Sequence, residues 1–174
     1  MTNAIARLFP LLAATVMAAL IFAGLAQAAP KTVSLAFEGV GDGDTIYVRD
    51  LTQKASYRVR LAMIDAPEKN QSYGMEAKNS LEQLLRGAGT LKVTVYGTDQ
   101  YKRLIGVVYD ERGQNINMMQ VSQGAAWIYE QYAKSPAYSG LYGSFANAER
   151  NARMRRMGLW AETSPMEPWK FRRN

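Results

Sequence analysis

The run from Ala55 to Ile64 leaves the fold the least choice. Tyr57, Val59, Leu61 and Met63 share one face and Arg58 and Arg60 the other, the period-two pattern of a strand with one buried side. Ala66-Pro67 ends it, because proline has no N–H to give to a ladder. Two strands are predicted before it, Lys31 to Phe37 and Thr45 to Asp50, joined through the tight turn Gly41-Asp42-Gly43. Tyr73 to Arg86 reads as a helix, with Met75, Leu81, Leu84 and Leu85 near helical spacing and Gly87 just past its end. Thr90 to Tyr96 and Leu104 to Tyr109 are two further strands about the turn Gly97-Thr98-Asp99. A short helix over Asn115 to Ser122 stops at Gly124, and Ala125 to Tyr129 is a brief extended piece. The last helix runs from Ser139 to Met157, and the proline-rich stretch Ser164 to Trp169 is expected to be irregular. Three strands, a helix, two strands and then helices fit an α+β fold, a five-stranded barrel with about three α-helices packed on it. An OB-type barrel is the common solution at this size, and it binds oligonucleotides across one face.

Acidic side chains collect at the ends of these strands. Gly41-Asp42-Gly43-Asp44-Thr45 puts two carboxylates in a glycine turn, and Asp65 and Glu68 flank Ala66-Pro67 after the arginine-bearing strand. Each piece alone has an ordinary explanation: Gly and Asp favour turns, Asp before Pro often ends a strand, and Arg60 or Arg103 could be solvated charge. Together they divide the labour of metal-assisted phosphodiester chemistry. Asp44 and Asp65 can each give an oxygen to a hard cation. Arg60 and Arg103 can donate paired hydrogen bonds to phosphate oxygens and neutralise developing charge. Glu68 can orient or deprotonate a water.

Composition narrows the chemistry further. The chain has no histidine and no cysteine, which excludes histidine metal sites, Ser-His-Asp triads, histidine acid–base nucleases and disulfide support. Arg7 is the only charge before Lys31, Leu11 to Leu25 is nearly continuous apolar sequence, and Ala26-Gln27-Ala28 follows. Residues 1–28 are therefore expected to be a signal peptide cleaved after Ala28, and 29–174 a single domain exported to the periplasm or medium. An uncleaved membrane anchor is the alternative, since the apolar run is long enough to span a bilayer. Residues 150–174 hold seven Lys/Arg against two Asp/Glu, a basic excess suited to a polyanion.

The ordered set Asp42-Gly-Asp44-Thr45, Arg60-Leu-x-x-Ile-Asp65-Ala-Pro-Glu68, Tyr73-Gly-x-Glu76-Ala77 and Asp99-x-Tyr101-x-Arg103 resembles the staphylococcal-type thermonuclease family. The likeness continues through Gln123-Gly124, Trp127 and Gly158-Leu159-Trp160. It closes on Pro168-Trp169-x-x-Arg172, an ending similar to that of many secreted bacterial members. The resemblance implies an OB-fold endonuclease that cuts DNA and RNA without sequence preference, using Ca²⁺ and leaving 3′-phosphates. It implies Asp44, Asp65 and the Ala66 carbonyl as calcium ligands, with Asp42 just outside them. Arg60 and Arg103 would bind the scissile phosphate, Glu68 would be the general base, and Tyr101 and Tyr129 would contact substrate. The expected partner is DNA or RNA substrate, with no obligate protein partner, no stable membrane association after signal cleavage, and a monomeric state.

Three departures stand out: Ala66 where the best-known member has threonine, Lys102 where a glycine usually precedes the second arginine, and Gln100 in place of a lysine. Lys102 raises the question of how the turn aims Arg103, and supports the alternative of a catalytically impaired nucleic-acid-binding module of the same fold. Met118, Met119, Met154 and Met157 are expected to fill core, Trp127 and Trp160 to sit in core or dock helices, and Arg153, Arg155 and Arg156 to form a solvated helix face.

Overall fold

The computed structural model describes residues 29–173, so the expected signal peptide at 1–28 lies outside the described residues. Strands β1 (Lys31–Asp42), β2 (Thr45–Asp50) and β3 (Ala55–Leu61) form a meander. Strands β5 (Thr90–Thr98) and β6 (Leu104–Tyr109) form a hairpin. The five close into a barrel in the order β1-β2-β3-β6-β5, with β5 returning to β1. All pairs are antiparallel except β3 with β6, where Val59 partners Leu104 and Arg60 partners Ile105. This is the expected OB-type barrel, and its inside is filled by Leu35, Ile46, Val48, Val59, Leu61, Leu91, Val93 and Val107, all buried.

Three α-helices of some length pack on it, α1 (Gly74–Leu84), α2 (Ile116–Ser122) and α4 (Ser139–Met154). A two-stranded sheet of β4 (Ile64–Asp65) and β7 (Trp127–Ile128) lies outside the barrel. Two one-turn helices, α3 (Glu130–Ala133) and α5 (Pro168–Phe171), complete the set. Among the described residues no helix is long and apolar enough to cross a membrane.

Several boundaries differ from the sequence reading for local reasons. β1 continues to Asp42 through two register shifts, so the hairpin turn is only Gly43-Asp44. The predicted third strand breaks at Met63, whose φ of 70° is left-handed, and resumes as β4. Both Ala62 and Met63 are buried, which hides this break from the alternation pattern. The predicted first helix buries Ala77, Leu81 and Leu85, whereas Met75 is exposed. The proline-rich close is not wholly irregular: Pro168 begins α5, where its fixed φ suits a first helical turn.

Met154 is 69% exposed rather than core, because α4 turns that side chain to solvent. Arg153 is not simply a solvated residue either. Its guanidinium carbon lies 3.9 Å from the Trp160 ring centroid and 4.9 Å from that of Trp127.

Two buried amides tie this scaffold to the acidic turn. Asn117 accepts from the Val108 N–H at 3.0 Å and donates to the Ala62 and Gly106 carbonyls, bracing the parallel junction. Gln120 donates to the Gly43 carbonyl at 2.8 Å and the Ala77 carbonyl at 3.0 Å, linking the β1–β2 turn to α1. Gly43 is a glycine for space: an added Cβ would lie 2.6 Å from the Ala66 Cβ and 2.9 Å from that of Ala77.

Candidate active site

The β1–β2 turn is pinned beside β3. The Leu61 N–H donates to the Asp44 carbonyl at 2.8 Å, the Asp42 carboxylate accepts the Asp44 N–H at 3.1 Å, and Thr45 partners Arg60 across the ladder. Asp44 and Asp65 are thereby buried together around Arg60. One nitrogen, Arg60 Nη2, lies 3.0 Å from Asp44 Oδ2 and 2.7 Å from Asp65 Oδ1. Arg60 Nη1 donates to the carbonyls of Leu61 and Ile64, each at 2.8 Å, so the guanidinium is fixed by the backbone bend between β3 and β4. The left-handed turn at Met63 makes that bend and aims the Ile64 carbonyl at Arg60.

Burial pushes the Asp44 carboxyl up to about 7, with Asp42 and Asp65 adding to the rise while Arg60 and the Ala66 N–H oppose it. The Ala66 N–H bonds Asp44 Oδ2 at 2.8 Å, placing Ala66 between the two acids. Both buried acids are oxygen donors crowded with like charge and compensated by shared arginine nitrogens. Such a set fits a hard divalent cation held by few protein ligands and completed by water. Among the described residues no group of three or more acidic, histidine or cysteine side chains is close enough to hold a metal by itself, so any such site is sparse.

Glu68 sits at the rim, its side chain 38% exposed, on the turn between Pro67 and α1. Its N–H donates to Gln71 Oε1 at 3.1 Å and its carbonyl accepts from the Gln71 N–H at 2.8 Å. Arg103 lies one residue before Leu104, in the register that continues opposite Arg58 on β3. Its Nε donates to Asp99 Oδ2 at 2.8 Å and its N–H to Asp99 Oδ1 at 2.9 Å. Burial alone would raise the Asp99 carboxyl, but these Arg103 bonds outweigh it and hold Asp99 below the usual carboxylate range. Asp99 uses only Nε, so both terminal nitrogens of Arg103 are without a protein hydrogen bond among the described residues.

Lys102 adopts a φ of 60°, so the lysine takes up the conformation a glycine would supply. The turn stays closed, with the Asp99 N–H bonded to the Arg103 carbonyl and the Lys102 N–H to the Asp99 carbonyl, both at 3.0 Å. A left-handed non-glycine residue costs roughly 1–2 kcal/mol, part of which glycine returns through its freer unfolded chain. Lys102→Gly is therefore expected to stabilise the fold by about 0.5 kcal/mol in urea unfolding, with Arg103 still paired to Asp99. A destabilised variant would show the lysine side chain to be contributing contacts of its own.

Tyr101 is 61% exposed beside this turn, and the Arg103 guanidinium carbon lies 5.4 Å from its ring centroid. Arg58 steadies the turn by donating to the Tyr101 carbonyl at 2.7 Å. Tyr129 is half-buried: its ring stacks on Trp169, 4.9 Å between centroids and 6° between planes, and meets the Tyr132 edge. One face of this tyrosine is thus covered by the C-terminal segment.

Arg172 is the residue that the sequence reading leaves without a role. Its Nη2 lies 2.8 Å from Asp65 Oδ2, and its Nη1 lies 3.2 Å from Asp65 Oδ1 and 2.6 Å from Glu68 Oε1. The only sequence signal for it is an arginine three residues past Trp169, and nothing local connects that to a carboxylate more than a hundred residues earlier.

The family described as staphylococcal nuclease homologue matches residues 58–162. An uncharacterized endonuclease of Haemophilus influenzae is 38% identical over 154 residues, covering 88% of this chain and 81% of the relative. The micrococcal nuclease of Shigella flexneri is 41% identical over 140 residues, covering 76% of each. An uncharacterized endonuclease of Escherichia coli O157:H7 is 40% identical over 131 residues, covering 75% of this chain and 79% of the relative. With its closed barrel, its Arg60-bridged acid pair and this breadth of similarity, the chain belongs to the staphylococcal nuclease family.

Proposed function

We propose that this protein is an exported, Ca²⁺-dependent endonuclease that hydrolyses phosphodiester bonds of DNA and/or RNA without sequence preference, leaving 3′-phosphates. The observation that carries the reading is Arg60 Nη2 lodged between Asp44 and Asp65 while two backbone carbonyls fix the other terminal nitrogen. Those four groups hold the Arg60 guanidinium in place beside the acid pair, so its positive charge is already positioned for a phosphate drawn to that site, which lowers the reorganisation needed in the transition state.

Asp44, Asp65 and the Ala66 carbonyl would hold the calcium ion. When bound, the ion supplies positive charge to a non-bridging phosphate oxygen. Glu68 accepts a proton from the attacking water, a role that suits a half-exposed carboxylate in a chain with no histidine. Arg60 lends its fixed positive charge and the terminal nitrogens of Arg103 donate to the phosphate oxygens as charge builds; the bond from phosphorus to the 5′-oxygen breaks, and that oxygen takes up a proton from solvent. Tyr101 offers an exposed ring to the neighbouring nucleotide. The basic excess of residues 150–174 favours a polyanion at the surface. Residues 1–28 account for export, and an exported chain beginning at Ala29, seen by mass measurement, is the expected product of cleavage.

Timed digestion of DNA and RNA by the purified protein tests the reading. Cleavage is expected in Ca²⁺, abolished by a chelator, and lowered about 10²- to 10³-fold in Glu68→Gln. Undiminished cleavage in chelator would overturn the cation requirement. Retention of DNA in a gel with no cleavage in Ca²⁺ would favour the impaired binding module instead.

A further inference from the structure

The guanidinium of Arg172 engages Asp65 through a two-pronged fork and reaches Glu68 with one of the same nitrogens. Asp65 is 1% exposed and already accepts from Arg60 on Oδ1, so its two oxygens face three arginine nitrogens. The arm that delivers Arg172 is anchored. Trp169 stacks flat on Tyr129 and meets the edge of Trp127 at 5.9 Å. Gln71, whose side-chain oxygen accepts the Glu68 N–H, donates to the Met166 carbonyl at 2.7 Å. The Arg172 N–H closes the turn of α5 on the Pro168 carbonyl at 3.0 Å. The ion pair is therefore presented by a fixed aromatic dock and differs from a pair of free surface chains, which would contribute little.

We infer that Arg172 sets the affinity of the acid pair for a divalent cation: its guanidinium is an internal cation on Asp65 and Glu68 that the ion has to displace. The inference rests on the cation reading proposed above. An ion ligated by Asp65 would lie within a few ångströms of the Arg172 charge, and like charges at that distance in a half-buried setting repel strongly. The ion's double charge and several oxygen ligands let it win that competition, at reduced affinity, and its binding turns Arg172 away from the acids.

Calorimetric titration of Ca²⁺ into the purified protein and its variants tests this without reference to turnover. Arg172→Gln is expected to bind Ca²⁺ about tenfold more tightly than the parent. Arg172→Lys, which keeps the charge but loses the fork, is expected between the two. Trp169→Ala keeps Arg172 but removes its dock, so it too is expected to bind more tightly, and it covers the case in which Arg172→Gln perturbs the site itself. Thermal melting verifies that each variant is folded. Equal or weaker Ca²⁺ binding in both Arg172→Gln and Trp169→Ala overturns the inference. DNA cleavage followed in parallel separates the two readings. If the parent cleaves only with Ca²⁺ while all four affinities agree, this inference alone fails. If cleavage needs no divalent ion, the cation reading fails and takes this inference with it.

Discussion

Replacing Arg60 with alanine is expected to lower the rate of nucleic-acid cleavage by about a thousandfold, a loss of about 4 kcal/mol in transition-state stabilisation. The size follows from how much converges on one side chain. Its terminal nitrogens serve Asp44, Asp65 and the carbonyls of Leu61 and Ile64. Removing it leaves two buried carboxylates without that shared counter-charge and two carbonyls without their donor. Breaking a buried pair from one side typically costs about 3–5 kcal/mol of stability, so Arg60→Ala is also expected to unfold at distinctly lower urea. Arg60→Lys separates the two effects. A lysine restores positive charge near the acids but cannot span both of them and both carbonyls with one planar group. It is expected to recover much of the stability and little of the cleavage. A lysine variant cleaving within a few-fold of the parent would show that charge alone, and not the fork, is what the site requires.

That convergence is partly legible in the sequence, for a physical reason. Arg60 and Asp65 are close in the chain, and any strand that ends in a bend near Pro67 keeps them together. Asp44 reaches them through the hairpin, since Thr45 partners Arg60 once the β1–β2 turn shrinks to two residues. Strands bounded by turn residues on both sides, Thr45–Asp50 and Leu104–Tyr109, coincide with their predicted limits. The break at Met63 is invisible because periodicity registers which residues are buried and carries no information about the sign of φ. Lys102 poses the same problem in reverse: its side chain gives no hint that it accepts the left-handed turn. Arg172 could not be assigned at all, because its partners come from the far end of the barrel sequence and its placement depends on Trp169 finding Tyr129. Proline content argues against regular structure near the end of the chain, yet it is Pro168 that starts the short helix carrying this arm.

Gly74→Ala is expected to damage both stability and cleavage severely. An added Cβ at Gly74 would fall 1.8 Å from the Glu68 carbonyl oxygen and 2.7 Å from its carbon. Neither group is the loose end of a side chain. Gly74 is the first residue of α1, preceded by Tyr73 at a φ of 64°, and its N–H bonds the Gln71 carbonyl at 3.0 Å. The Gln71 N–H in turn bonds the Glu68 carbonyl, so the turn from Glu68 to Gly74 is wound tightly onto the start of the helix. Accommodating the methyl requires the Glu68 backbone to retreat by more than an ångström, and its side chain moves with it. A misplacement of about 1 Å at a catalytic group can cost about 100-fold in rate. The forced movement of a packed, hydrogen-bonded turn is expected to cost about 2–3 kcal/mol in urea unfolding, as overpacking commonly does. Gly140 and Gly143 supply the control, since both lie within α4 and a Cβ at either meets nothing within 4 Å. Alanine there is expected to stabilise the protein by about 0.5–1 kcal/mol, by relieving the helix of glycine's entropy, with cleavage unchanged. If Gly74→Ala unfolds and cleaves like those two variants, the turn is more pliable than its close contacts indicate, and Glu68 does not depend on it for position.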